Sequence, residues 1–530
     1  MHQHLSILLC TLVAALTILK VVQACKRKPL PPGPRGRYPL LGMTFDEPKY
    51  KPWEEFTRWA KMYGPLVYYR TGLQHVVIIN DASVYRELIT QRSDIYSSRP
   101  PSEVGSLVSG GLRVVQMEYG HRWRIDTPQS VRRVFTKVLN AKKCDSYLGY
   151  QEREALATLY TLLHNKPEDF SHEIHRYSLS VARTVAFSKR VTSSNSPFGA
   201  ELREVMANFS SAMQPGKYIV ETMPFLGRLP HALQPWRKEL AKYHEIEADF
   251  SLRCYREALA HAEKYPDQPS VARDIAKEMT DEALAATTCM EIIGAGAETT
   301  ASTLGFIILA LITHPEVVKK AHEELDRVIG RDRFPTWTDE PNLPYIRAII
   351  KEAHRWRVIS PLSFQHYTMK EDVFRGYRIP KGSVVRVNHW GMHLDESRYP
   401  DPYEFNPERF VNYKLSAAAA CNLPNPAERD HFAYGAGKRI CPGLHLAERS
   451  LYNITSRLLQ TFAFEQPRDP KTGELLEIVT VDNVGTRSGL VMAPGRQFDV
   501  DFKLRDERIG TLLESEWRAK VSGQGEIWQD

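Results

Sequence analysis

A mainly α-helical protein with a minor β-sheet, folded as a single large domain behind an N-terminal transmembrane helix, is what three features of this 530-residue chain predict. The first is residues 281–313, rich in alanine, leucine and isoleucine and followed by proline only at Pro315, which favours one long helix. The second is a pair of β-branched runs bounded by turn residues, Val76-Val-Ile-Ile and Ser383-Val-Val-Arg-Val. The third is an almost wholly apolar segment from Leu5 to Ala24, about long enough to cross a bilayer.

In chain order, no lysine or arginine precedes that segment and Lys26-Arg27-Lys28 follows it, with Lys20 near one end where a long side chain snorkels. A secretory leader carries its charge in front, so residues 1–25 read as an uncleaved single-pass anchor with the domain on the cytoplasmic side. Residues 26–40, with Pro29, Pro31, Pro32, Gly33 and Pro34, read as a basic, stiff spacer. Residues 41–515 form the expected main domain and residues 516–530 a tail. Asn208 and Asn453 sit in glycosylation triplets that a cytoplasmic domain never presents to the glycosylation machinery.

The length allows three domains, but no linker or repeat divides the chain. With 42% hydrophobic and 25% charged residues, a substantial core is available. The formal charge of +7 is spread out with no basic stripe among aromatics, which excludes nucleic-acid binding and leaves an acidic protein partner or anionic membrane lipid. Seven cysteines, scattered and odd in number, give no disulfide framework and point to a reducing compartment.

The most specific chemistry lies in His431-Phe-Ala-Tyr-Gly-Ala-Gly-Lys-Arg-Ile-Cys441-Pro442, closed by Gly443, with a helical pattern from Leu444. Structural zinc needs paired cysteines and iron–sulfur clusters need several thiolates at short spacing, so Cys441 suits a single-thiolate metal centre. Lys438, Arg439 and the N-terminus of the following helix are expected to hold its sulfur deprotonated. The bland alternative is a glycine-rich turn with one buried, inert cysteine. Within residues 281–313, two glycines followed by Glu298-Thr299-Thr300 mark a spot where an intrahelical hydrogen bond is expected to open. An acid followed by an alcohol there offers a proton path into a dry pocket; the alternative is a close helix crossing. Glu352 and Arg355 stand three apart on a helical run, and Ile349, Ile350, Ala353 and Trp356 argue for burial over a surface bridge.

Tyr434-x-x-Gly437-x-Arg439-x-Cys441-Pro442-Gly443 resembles the haem-binding loop of the cytochrome P-450 family. The resemblance implies haem (heme b, iron-protoporphyrin IX) with Cys441 as axial thiolate and Arg439 on a propionate. Tyr434 replaces the usual phenylalanine, which adds a hydroxyl expected near the thiolate face and a shifted redox potential. Residues 295–300 resemble the family's oxygen-activating motif, which assigns hydrogen bonding of oxygen to Thr299 and proton relay to Glu298. Glu352 and Arg355 resemble the family's E-x-x-R pair, joined by Arg409 of Pro407-Glu-Arg-Phe. His366, after Pro361-Leu-Ser-Phe-Gln, is similar to a propionate-binding histidine, though Gln365 stands where proline is usual and a lone exposed histidine is the alternative.

One motif is broken. The family's W-R-x-x-R grips a propionate with its tryptophan and second arginine, but the residue four after Trp123 is Thr127. Removing residues 125–129 restores Trp-Arg-Ser-Val-Arg-Arg and brings Arg132 into place, so these five residues read as an insertion containing Pro128. Either it bulges out while Trp123 and Arg132 still converge, or it is a gene-model artefact at a splice junction.

The resemblance as a whole implies a haem-thiolate monooxygenase of the endoplasmic reticulum membrane, similar to fungal microsomal enzymes of secondary metabolism. It would insert one oxygen atom from O2 into an apolar small molecule, a polyketide, terpenoid or alkaloid intermediate. No flavin or nicotinamide domain follows residues 500–504, so electrons are expected from a separate NADPH-cytochrome P-450 reductase, with cytochrome b5 as a second candidate donor. Substrate contacts are expected from residues 101–115, 212–235, Ala295 and 358–364, including Met213, Tyr218, Met223, Phe225, Leu226, Ile359, Leu362 and Phe364. Two other readings stay open: a haem-thiolate isomerase or dehydratase that needs no reductase, and a non-catalytic haem protein crippled by the insertion.

Overall fold

The computed structural model describes residues 27–39, 41–124, 130–165, 169–214, 216–468, 471–476, 478, 484–487, 491–494 and 498–522. The expected anchor and residues 125–129 lie outside them. The longer helices are α1 (Pro52–Tyr63), α2 (Val131–Val138), α3 (Leu148–His164), α4 (Phe170–Phe187), α5 (Pro197–Ala212), α6 (Trp236–Lys264), α7 (Glu282–Thr313), α8 (Pro315–Val328), α9 (Pro344–Trp356), α10 (Leu444–Thr461) and α11 (Glu507–Trp517). Strands are β1 (Leu66–Thr71), β2 (Gln74–Ile79), β3 (His366–Tyr367), β4 (Asp372–Phe374), β5 (Tyr377–Ile379), β6 (Val384–Val387), β7 (Phe462–Glu465), β8 (Val484–Arg487), β9 (Val491–Pro494) and β10 (Asp501–Leu504).

The helix expected over residues 281–313 is α7, started by Asp281, whose side chain accepts the Leu284 N–H at 3.0 Å. It is apolar nearly all round because α4, α6, α9 and α10 pack about it, and residues 306–311 are fully enclosed. Among the described residues α7 alone is long and apolar enough to cross a membrane, and its burial makes it the central core helix. The expected break at the glycines does not occur. The helix runs on through Thr300, and the Thr299 hydroxyl donates to the Ala295 carbonyl at 2.7 Å, a bond back to the i−4 carbonyl that the helix tolerates.

Both expected strand runs enter one four-stranded sheet, ordered β1-β2-β6-β3. Val76 pairs with Val384 in parallel register, and β3 adds antiparallel to β6 with His366 opposite Val385. The sheet thereby holds His366 at a fixed height beside the helical body. The proline-rich segment is not a free spacer. Pro32 accepts the Tyr68 N–H at 2.9 Å and Pro29 the Arg378 N–H at 2.7 Å. A Cβ on Gly33 would lie 1.9 Å from the Tyr68 carbonyl oxygen, so only glycine lets the segment lie this close against β1. Of the glycosylation triplets, Asn453 is buried inside α10.

Candidate active site

The cysteine loop is held at both ends. Gly437 adopts φ 62°, and a Cβ there would sit 2.4 Å from the Ile89 carbonyl oxygen. The Cys441 N–H donates to Tyr434 O at 2.9 Å, and the Gly443 N–H donates to the Cys441 sulfur. Burial pushes the Cys441 thiol up, opposed by that N–H and by the Arg132 guanidinium. The expected donors of positive charge are therefore wrong in part. Lys438 turns outward to Asp94 and to the Tyr119 hydroxyl, 2.8 Å away, because an exposed ammonium keeps its hydration there. Arg439 donates to Ser97 O at 2.8 Å and Met117 O at 2.6 Å, and its guanidinium stacks 3.8 Å from the Trp123 ring.

The broken motif closes in space. The Val131 N–H donates to Arg122 O at 2.9 Å, a bond that becomes the ordinary i to i−4 helical bond once residues 125–129 are left out of the count. Ser130 caps α2 by accepting the Arg133 N–H, and Arg132 donates to Ile440 O at 2.7 Å. Trp123 and Arg132 thus both reach the cysteine loop.

His366 is buried rather than exposed, with Nδ1 2.8 Å from Tyr96 O, and burial pushes its imidazole well below the usual range. Beside it lies Arg99, which sequence reasoning missed. Arg99 donates to Val115 O at 3.0 Å, Phe364 O at 3.0 Å and Gln365 O at 2.7 Å, so the residue in the proline's place contributes through its backbone. Burial pushes Arg99 down to about 10. Arg99 stands before Pro100-Pro101, just outside the expected substrate segment that begins at residue 101, so the sequence carried no signal for it.

Arg99, Arg132, Arg439 and His366 lie close enough for their charges to oppose one another, and each is bonded only to backbone carbonyls or an aromatic ring. No carboxylate forms an ion pair with any of them among the described residues, and Arg439 Nη1 is buried with no partner. Each buried uncompensated cation costs several kcal/mol, on the order of a full desolvation penalty. A dianion binding there removes that cost, and the two propionates of haem are such a dianion. The exposure of nearby residues fits as well. Ala295 is exposed and Thr299 half-buried in the middle of the core helix, and Cys441 is deep yet partly accessible, as residues on a cavity wall are.

The Glu298 carboxylate lies 3.1 Å from Nε2 of His175 on α4, a partner not foreseen. Glu352 is fully buried and forms a fork with Arg355 at 2.6 Å through each oxygen, with Arg409 3.4 Å away and the Asn406 N–H donating at 2.9 Å. The same helix holds the cysteine loop by a second pair. Lys351 meets Asp430 at 2.5 Å, and the Tyr434 hydroxyl meets His354 Nε2 at 3.1 Å. That hydroxyl is engaged by α9 and pushed up by burial, by Glu448 and by the Cys441 charge, which it still feels. Among the expected substrate residues, Ile359 and Leu362 pack on the core and Tyr218 is buried with its hydroxyl 2.8 Å from Glu239. Met223 and Phe225 instead face outward, 43% and 63% exposed. An apolar residue type does not say which side of a loop it occupies.

A helical body that presents one cysteine loop beside a buried cationic pocket defines a haem-thiolate class of protein. The family model for cytochrome P-450 matches residues 31–483. Cytochrome P-450 monooxygenase verL of Clonostachys rogersoniana is 34% identical over 92% of this chain and 90% of its own length. Cytochrome P-450 monooxygenase fogE of Aspergillus ruber is 34% identical over 99% of this chain and 98% of its own. A zebra fish cytochrome P-450 solved with progesterone superposes with a TM-score of 0.66 at 25% identity, covering 86% of this chain and all of that one. The chain belongs to the cytochrome P-450 family and is a monooxygenase by class.

Proposed function

We propose that this protein inserts one oxygen atom from O2 into an apolar small molecule of fungal secondary metabolism, with electrons from a separate NADPH-cytochrome P-450 reductase at the endoplasmic reticulum membrane. The observation that carries the reading is the uncompensated cluster of Arg99, Arg132, Arg439 and His366 beside Cys441. In this reading the Cys441 thiolate would hold the haem iron, and Trp123, Arg132, Arg439, His366 and Arg99 would hold its propionates. Haem, when bound, supplies the activation of dioxygen.

The chain's own residues do the rest. Arg132 and the Gly443 N–H favour the thiolate of Cys441 against the burial that opposes it. Gly437 and Gly443 keep the loop's backbone close to the sulfur. Thr299 holds its proton on the Ala295 carbonyl and can redirect the hydroxyl into the cavity without unwinding α7. Glu298 lies 3.1 Å from His175 Nε2, a contact between two proton-carrying groups that supports a relay role for Glu298. Glu352, with Arg355 and Arg409, fixes the framework under the loop. The helical bond from Val131 to Arg122 speaks against a pocket crippled by the extra residues.

The test is a carbon monoxide difference spectrum of the dithionite-reduced protein, on the chain as it stands and on a variant lacking residues 125–129. The long-wavelength band of thiolate-ligated haem in both is the expected result. A short-wavelength band or none in the full chain would overturn the reading, and a band without NADPH-dependent oxidation by any reductase would favour the isomerase class.

A further inference from the structure

On the wall of α7 that carries Ala295 and Thr299, one helical turn earlier, stands Glu291. Positions 291, 295 and 299 are spaced by four and share a face. Glu291 lies deep in the protein yet keeps 14% of its side chain accessible, on the helix face it shares with exposed Ala295 and half-buried Thr299. Its surroundings are charged. The guanidinium of Arg113 approaches Glu291 at 3.5 Å and Glu247 of α6 at 2.9 Å, and it lies 3.9 Å over the ring of Phe209 on α5.

Two carboxylates share this one guanidinium. Arg113 and Glu247 are each more than nine-tenths buried, and the Arg113 Nε, though near Glu247, makes no bond of hydrogen-bonding geometry. Glu247 is the closer of the two to Arg113, so Glu291 is the carboxylate left over. Its other contact is the Val115 N–H, and burial together with Glu247 pushes its carboxyl up while Arg113 pulls it down. A surplus negative charge in a nearly dry wall is stable only when it takes a proton or meets a cation.

We propose that Glu291 is the polar recognition point of the substrate cavity and that the substrate is an otherwise apolar molecule carrying a basic nitrogen, paired with the Glu291 carboxylate. This deepens the monooxygenase reading and rests on it. The ammonium brings Arg113, Glu247 and Glu291 to electrical balance. Eight residues along α7 separate Glu291 from Thr299, about 12 Å of helix, so the oxidised carbon is remote from the nitrogen.

The experiment is a spectral binding titration of the haem-loaded protein with tertiary amines, each paired with its carbocyclic analogue and its alcohol: 1-benzylpiperidine, benzylcyclohexane and 1-benzylcyclohexanol. Binding is read as the short-wavelength displacement of the haem band, opposite in sense to nitrogen ligation of iron. The wild type is expected to prefer the amine over the hydrocarbon by about tenfold or more, as a charge-assisted contact gives. Glu291→Gln should abolish that preference, and Glu291→Asp should retain part of it. Equal affinity for the pair, no response to any amine, preference for the alcohol over the amine, or a preference that survives Glu291→Gln overturns the proposal. The carbon monoxide band is recorded for each protein first. Its absence from the wild type overturns the haem reading itself, whereas its presence with no amine preference overturns only the role of Glu291.

Discussion

Two regions of this molecule bury arginine beside the cysteine loop, and they treat its charge in opposite ways. Under the loop, Arg355 is fully enclosed and Arg409 nearly so, and both converge on the buried carboxylate of Glu352. In the pocket, Arg99, Arg132 and Arg439 are enclosed to a similar depth with carbonyl oxygens as their partners. The first arrangement has a counter-charge built into the polypeptide. The second reaches balance only with an added anion, so one region is a lock and the other a socket.

The contrast breaks most visibly at Glu352. Glu352→Gln leaves two guanidiniums without a counter-charge, and truncating one partner of a buried pair costs about 3–5 kcal/mol. Chemical denaturation should show that loss with haem and without it. A change confined to the haem-loaded form would mean that the triad serves the ligand rather than the fold. Arg439→Leu should act with opposite signs in the two forms. Removing an unpaired buried cation stabilises the haem-free protein by roughly 1–3 kcal/mol, while haem retention in a transfer assay to apomyoglobin falls. Destabilisation of the haem-free form would show that Arg439 is compensated after all.

That division was only half legible in the sequence. Glu352, Arg355 and Arg409 could be read because an i,i+3 pair on an apolar helix face carries its own burial argument. Cys441 could be read because the glycines and cations around it are contiguous. The core helix and the strand pairing followed from composition and β-branched runs. Arg99 could not, since its partners at Phe364 and Gln365 are some 265 residues away in the chain. Arg113 and Glu291 escaped for the same reason, as did His175. Lys438 was assigned to the sulfur from its position in the loop, yet the backbone turn at Gly437 sends it to Asp94. The opening expected in α7 failed because the threonine hydroxyl satisfies a carbonyl without breaking the ladder.

Acid should weaken the packing around the lock. Four histidines, His354, His389, His393 and His431, are buried between α9 and the cysteine loop, with ring centroids as close as 4.8 Å. Burial lowers His354 from 6.5 to about 4 and His389 to about 3, and puts His393 and His431 well below the usual range. The unfolded chain therefore binds protons near pH 6.5 that the folded protein refuses, so stability is complete above 6.5 and falls as pH drops toward 4. Each such histidine contributes a slope of about 1.4 kcal/mol per pH unit. Denaturation midpoints between pH 7 and pH 5 should fall less steeply in His354→Gln, by about one proton's worth of slope. An unchanged slope would mean that His354 is already charged in the folded protein.

The smallest effect tests how the lock reaches the sulfur. The Tyr434 hydroxyl meets His354 Nε2, and the Tyr434 carbonyl accepts the Cys441 N–H, so α9 grips the cysteine through one residue. His354 Nδ1 is buried without a partner, which makes the bond at Nε2 the imidazole's single polar tie among the described residues. Tyr434→Phe should therefore cost about 1 kcal/mol, the net worth of one buried hydrogen bond plus a stranded acceptor. In the background of His354→Leu the same substitution should cost almost nothing, because no acceptor remains to be stranded. A redox potential that moves with Tyr434→Phe in both backgrounds would instead return the hydroxyl to the sulfur, and the grip would have to run through Lys351 and Asp430 alone.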